Sequence, residues 1–145
     1  LKFLKKNWPK KLPSGIIHGD FFPDNVFFLN KKYSGVIDFY FSCSDFLAYD
    51  VALAINAWCF NKKNDFVEKR FQLLIKGYEN NRTLKKNEKN YLSILLRGAA
   101  IRILLTRLHD QLFHPKGAFV EPKNPQDYFE ILKFHQKNNL GNYLS

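Results

Sequence analysis

The sequence predicts an α+β fold: a small antiparallel hairpin unit near the start, then a mainly helical remainder. Three observations predict it. Short apolar runs separated by polar turn residues fill 16–39, as strands do. Beyond residue 46, apolar residues recur at three- and four-residue spacing through long segments. An Asn-Pro pair at 124–125 then marks the start of a further helix.

In chain order, Pro9, Pro13 and Gly15 punctuate a basic lead-in. Ile16 and Ile17 read as a short buried strand, 26–29 as a second strand and 35–39 as a third. Asn30-Lys31-Lys32-Tyr33-Ser34 forms a polar five-residue turn between the last two. Such a hairpin puts Asn25 and Asp38 at the same end of neighbouring strands, which lie about 5 Å apart. A helix over 46–60 carries Leu47, Val51, Ala54, Ile55 and Trp58 on one face, with Asp45 placed to cap it. A second, over 65–78, carries Phe66, Phe71, Leu74 and Ile75, with Asn64 as N-cap. Asn87 caps a long helix through Tyr91, Leu95, Leu96, Ala99, Ile103 and Leu104 to Leu112. His114-Pro115 and Gly117 break the chain, and Asn124 caps a last helix through Leu132 and Phe134.

The chemistry-bearing segment is His18-Gly19-Asp20-Phe21-Phe22-Pro23-Asp24-Asn25, with Ile37-Asp38-Phe39 after it. Its His-x-Asp-x-x-x-x-Asn spacing, followed by an Asp at a strand end, is that of a kinase catalytic loop and its metal-binding Asp. Phosphoryl transfer needs metal on the phosphates, an oriented hydroxyl and charge stabilisation in a dry cleft. Asp20 is the candidate group that accepts the hydroxyl proton. Asn25 offers a neutral oxygen and Asp38 a charged one to Mg²⁺, a hard ion that prefers oxygen. His18 holds the loop by hydrogen bonds, and Asp50 points back to the loop from its helix. Gly19 stands where regulated protein kinases carry an Arg that docks a phosphorylated loop, and 39–46 leaves no room for such a loop. That fits a small-molecule kinase.

On the long helix, Arg97 and Arg102 flank the apolar arc, whereas Arg107 and Asp110 fall inside it. Arg107 pairs with Asp110 at i, i+3, or else Arg107 or Arg102 lines the cleft and binds a substrate carboxylate. His109 and His114 are spaced unlike zinc ligands.

The whole chain sets bounds on this reading. Its 145 residues, 46% hydrophobic and 17% aromatic, suit one domain, and fifteen Phe predict a Phe-filled interior. No apolar run reaches the roughly 20 residues of a membrane span. A start at Leu1 without any Met is expected of a piece of something longer. The net charge of +10 raises a nucleic-acid-binding module as a competing class. The Lys residues sit at turns and helix starts without a recognition motif, so a solvated surface is expected, one that favours polyanions such as ATP. Cys43 and Cys59 show neither metal nor disulfide spacing, as in a reducing cytoplasm.

These residues resemble the aminoglycoside-phosphotransferase and choline-kinase-like group. The wider text, including Asn56-Ala57-Trp58-Cys59-Phe60 and Arg97 to Asp110, is most similar to the homoserine kinases of that type rather than the GHMP type. The resemblance implies a protein-kinase-like fold of which residues 1–145 form the C-terminal lobe. It also implies ATP- and Mg²⁺-dependent phosphorylation of L-homoserine to O-phospho-L-homoserine in threonine biosynthesis, in the cytoplasm. Another small alcohol (an aminoglycoside, choline or methylthioribose) is the alternative acceptor, and neither nucleic acid nor membrane is an expected partner. Asp20, Asn25 and Asp38 match the group's catalytic and metal positions. The group's nucleotide-covering loop and strand Lys have no counterpart here, since Lys2 and Lys5 lie too close to the motif. The 145-residue chain alone is therefore expected to be nearly inactive.

Overall fold

The apolar runs on either side of Asn30 and Lys31 pair as an antiparallel hairpin, β2 (Val26–Leu29) with β3 (Lys32–Val36). This is a computed structural model; it describes residues 1–144 except 116, 118 and 120. The turn is shorter than the polar stretch suggests. Asn30 and Lys31 both take positive φ, 50° and 63°, as a two-residue hairpin turn requires. Lys32, Tyr33 and Ser34 therefore join the strand. The strand ends at Val36 and not at Phe39, because Asp38 turns left-handed (φ 64°, ψ 61°) and Phe39–Phe41 wind into a 3₁₀ turn.

A second two-stranded sheet was not anticipated: β1 (Ser14–Ile17) pairs antiparallel with β4 (Cys43–Phe46). β1 is not buried on both faces. Ile17 is 3% exposed and its neighbour Ile16 77%, the alternation of a strand with one wet face. The lead-in holds a further unforeseen element, α1 (Lys2–Asn7).

α2 (Leu47–Trp58) starts straight from β4 without a side-chain cap. Asp45 lies in β4, and its Oδ1 accepts the Phe46 N–H at 2.6 Å, so it does not cap the helix's first turn. α3 (Glu68–Glu79) begins later than Asn64 would have it, because Phe60 and Phe66 form a β-bridge and Asn64 adopts φ 63°. α4 (Lys86–Leu112), about 40 Å long at 1.5 Å per residue, begins after Lys85, with Asn87 already inside it. Glu88 Oε2 accepts the Lys85 N–H at 2.9 Å and pairs with Arg82 at 2.8 Å. α5 (Pro125–Lys137) starts as expected, Asn124 Oδ1 accepting the Gln126 N–H at 2.9 Å.

The core lies where α2, α4 and α5 meet. Ala48, Ala52, Ala99 and Ala100 let the backbones approach, while Leu53, Ile55, Leu95, Leu96, Ile131 and Leu132 fill the space between. It is aliphatic rather than Phe-filled. Phe60 and Phe71 are buried, whereas Phe3, Phe27, Phe28, Phe39, Phe41, Phe113, Phe119 and Phe129 are exposed. One polar knot ties the three helices: Asn56 donates to Leu96 O at 3.0 Å and accepts from His135 Nε2 at 2.7 Å. Arg97 Nε donates to His135 O at 2.9 Å. The cysteines are free thiols, Cys43 exposed and Cys59 buried, where burial pushes the thiol up to about 12. Among the described residues no helix is long and apolar enough to cross a membrane.

Candidate active site

β1 ends at Ile17, and the chain from His18 to Phe21 then runs free of any sheet or helix. Its backbone polar groups must find partners elsewhere. They find them on side chains. Asp50, in the first turn of α2, accepts the His18 N–H at 3.0 Å with Oδ2 and the Gly19 N–H at 2.9 Å with Oδ1. His18 Nδ1 accepts the Asp20 N–H at 3.2 Å, so Nε2 carries the ring proton and donates to Ile37 O at 3.0 Å. The carbonyls of 18 to 21 are held in turn by Ser42 Oγ (3.3 Å), Arg102 Nη1 (2.7 Å), Asn25 Nδ2 (2.8 Å) and Trp58 Nε1 (2.8 Å). Phe39 leans on the His18 ring with centroids 4.7 Å apart.

Gly19 has a conformational reason to be glycine. Its φ is +76°, and a Cβ there would lie 2.6 Å from the Phe41 carbonyl oxygen. No side chain of any kind fits.

This scaffold presents Asp20, Asn25 and Asp38 to one cavity of about 650 Å³. Asn25 Nδ2 also donates to Asp20 Oδ2 at 3.1 Å, which leaves Asn25 Oδ1 as its unengaged oxygen. The hairpin brings Asp38 alongside, since the Ile37 N–H donates to Asn25 O at 3.0 Å. Burial raises the Asp20 carboxyl above its usual range, opposed by the Asn25 hydrogen bond and the Arg102 charge. Among the described residues no group of three or more His, Cys, Asp or Glu side chains is arranged to hold a metal. The donor set here is instead one carboxylate and one amide oxygen. That suits Mg²⁺, which keeps waters and takes its other ligands from substrate phosphates.

The two arginines part company. Arg102 does not line this cavity; it is engaged with Gly19 O and lies over the Phe41 ring at 5.4 Å. Arg107 does line it, but without the internal Asp110 pair that helical spacing offers. Its Nη1 donates to Asn124 O at 2.8 Å and to Asp127 Oδ2 at 3.1 Å, because the start of α5 brings both oxygens across that face. Asp110 is half exposed and faces His109 Nδ1 at 3.6 Å.

Sequence reasoning missed Ser42, Trp58, Asp24, Lys123, Asp127 and Tyr128. Trp58 had a legible signal, since a largely buried indole N–H needs an acceptor. The ion pairs Lys123–Asp24 and Arg107–Asp127 join residues far apart in sequence and left none.

Residues 1–84, which include the whole loop and hairpin, match a model of the phosphotransferase enzyme family. A homoserine kinase of Brucella melitensis is 50% identical over 141 residues, covering 97% of this chain and 43% of that protein. That of Xanthobacter autotrophicus is 54% identical over 136 residues, covering 94% of this chain and 42% of its own length. That of Brucella anthropi is 52% identical over 137 residues, at the same coverages as the Xanthobacter protein. The chain thus spans less than half the length of the curated relatives it matches. With a mainly helical α+β architecture, a side-chain-braced loop and a family match over more than half its residues, this chain belongs to the phosphotransferase enzyme family.

Proposed function

We propose that this chain is the C-terminal, mainly helical lobe of a cytoplasmic kinase that transfers the γ-phosphoryl group of ATP to the side-chain hydroxyl of L-homoserine. The product is O-phospho-L-homoserine, a threonine precursor. The observation that carries this is the convergence of Asp20, Asn25 and Asp38 on one cavity, beneath a loop whose backbone groups are almost all tied down. The homoserine kinases that resemble the chain over nearly its whole length support the choice of acceptor.

In this reading Asp20 accepts the hydroxyl proton and aims the oxygen at the γ-phosphorus. A P–O bond forms as the bond to the β-phosphate oxygen breaks, and ADP leaves. Asn25 Oδ1 and the Asp38 carboxylate would hold Mg²⁺, which would supply charge neutralisation on the phosphates. His18 and Asp50 position the loop. Arg102, expected to contact the acceptor, acts by fixing Gly19 O, and Arg107 faces the acceptor carboxylate.

In this reading the lobe works together with a nucleotide-covering lobe. Phe27, Phe28, Leu29, Tyr33, Phe39 and Tyr40 are each exposed, on the hairpin and the turn after it. Covering these side chains would be favourable by about 25 cal/mol per Å² of apolar surface buried. The relatives carry more than half their length outside the matched region, enough for a lobe to cover them.

The test is turnover of ATP and L-homoserine, read by phosphorus NMR of the product. The full-length gene product is expected to be active and the 145-residue chain alone inactive. Asp20→Asn in the full-length protein is expected to lower kcat by about 10²–10⁴-fold. Full activity of Asp20→Asn, or of the chain alone, would refute the reading.

A further inference from the structure

A second cavity, of about 370 Å³, adjoins the first and shares Phe22, Asp24, Arg107 and Lys123 with it. That volume is within the usual range for small-molecule sites. Its wall alternates in charge: Arg107 pairs with Asp127 at 3.1 Å, and Lys123 with Asp24. The four charges sum to zero. A wall of this kind disfavours a net cation or a net anion and suits a dipolar ligand that carries one charge of each sign.

The pairing is incomplete in a telling way. Arg107 uses only Nη1 for its bonds to Asn124 and Asp127, so Nε and Nη2 make no hydrogen bond among the described residues. Its guanidinium lies 4.6 Å over the ring of Tyr128. Tyr128 is 3% exposed and lines this cavity, yet its hydroxyl has no partner among the described residues. A buried hydroxyl left unpaired costs about 1–3 kcal/mol unless a ligand satisfies it. Burial, the largest influence on it, pushes its ionisation upward, so it stays a neutral donor.

We propose that this cavity reads the α-amino-acid zwitterion of the acceptor: Arg107, with the Tyr128 hydroxyl, takes its carboxylate, and Asp127, with Asp24, takes its ammonium. The ligand enters by exchanging partners with the Arg107–Asp127 and Lys123–Asp24 pairs, so no charge is left unmatched. Phe22 and Asp24 follow Asp20 in the loop, so a short side chain bearing the hydroxyl extends from this cavity towards Asp20. The inference rests on the proposed homoserine kinase activity and adds the ammonium half of recognition.

The experiment uses the full-length gene product with three acceptors: L-homoserine, 4-hydroxybutanoate, which lacks the ammonium, and 3-amino-1-propanol, which lacks the carboxylate. Asp127→Asn is expected to raise KM for L-homoserine about 10- to 100-fold while shifting KM for 4-hydroxybutanoate less than about twofold. Tyr128→Phe keeps the ring beneath Arg107. It is expected to raise KM several-fold for the two carboxylate-bearing acceptors but not for 3-amino-1-propanol. KM for ATP should not move in either variant. An unchanged homoserine KM in Asp127→Asn, or an equal rise for homoserine and 4-hydroxybutanoate, would overturn the inference alone. No turnover of homoserine by the unaltered protein would overturn the functional reading, and this inference with it.

Discussion

Replacing Gly19 by Ala adds one methyl group to the loop and tests whether the loop's backbone geometry is as constrained as it looks. Two costs combine. A φ of +76° places an L-residue in the left-handed region, at about 1–2 kcal/mol. The new Cβ would also lie 2.6 Å from the Phe41 carbonyl oxygen, far inside ordinary contact, so backbone must move. Phe41 sits in the 3₁₀ turn closed by the Ser42 N–H to Phe39 O bond at 3.0 Å, and Ser42 Oγ holds His18 O. Relieving the overlap therefore strains the loop and the turn together, at about 1–3 kcal/mol by analogy with overpacking. The sum is about 2–5 kcal/mol, a large part of a typical domain's stability. Because Asp20 is the next residue, kcat should also fall by about 10²-fold, the cost of a displacement near 1 Å. Urea unfolding and steady-state kinetics of the full-length protein give both readouts. Gly77→Ala is the control: it lies in α3 with open space around it, and it should stabilise by about 0.5–1 kcal/mol. Gly19→Ala within about 0.5 kcal/mol of the parent, at unchanged kcat, would refute the argument.

Two further perturbations probe the scaffold. Asp50→Ala strands the His18 and Gly19 N–H groups and should cost about 2–5 kcal/mol. Asp50→Asn can still accept one of them and should fall between Ala and the parent; equal stability of all three in urea unfolding would remove Asp50 from its role. His135 links stability to pH. Burial, then the Arg97 charge, lowers its pKa to about 3, so the folded state excludes a proton that the unfolded chain binds below about 6.5. Its contribution is complete above pH 6.5 and lost as pH falls towards 3, about 2 kcal/mol being gone by pH 5. The loss of unfolding free energy between pH 7 and pH 5 should shrink by about that amount in His135→Gln, and an undiminished loss would contradict the linkage.

Local signals were the legible ones. Asn124-Pro125 announced α5 because a cap and a fixed φ are properties of adjacent residues. The loop motif and its hairpin were readable for the same reason, and the short return from Asn25 to Asp38 followed from strand pairing. What failed was set by contacts distant in sequence. β4 was invisible because Cys43-Ser44-Asp45 has no strand-like composition and pairs only because β1 is there to receive it. Asn64 and Asn87 look like caps, but a β-bridge and the buried Glu88–Arg82 pair move the true helix starts. Arg107 has an intrahelical carboxylate at i+3, and α5, docked across it, supplies another acceptor that no periodicity encodes.

The Phe residues misled in a more instructive manner. Aromatic content alone predicts burial, yet eight of the fifteen are exposed, and four of those lie at 27, 28, 39 and 41 around the hairpin and its turn. The loop and hairpin that carry Asp20, Asn25 and Asp38 thus combine a backbone held by half-buried partners with apolar side chains open to solvent. The wall of the second cavity has the opposite character: Arg107 is held by Asp127 and Lys123 by Asp24, in ion pairs. The division also runs along the sequence. The family match ends at residue 84 and covers the His18–Asn25 loop. Of the charged residues and the tyrosine that line that wall, Arg107, Lys123, Asp127 and Tyr128 lie beyond that point and only Asp24 within it. On the proposed reading, the family assignment speaks to the chemistry, and the choice of alcohol depends on what the end of α4 and the start of α5 present to it.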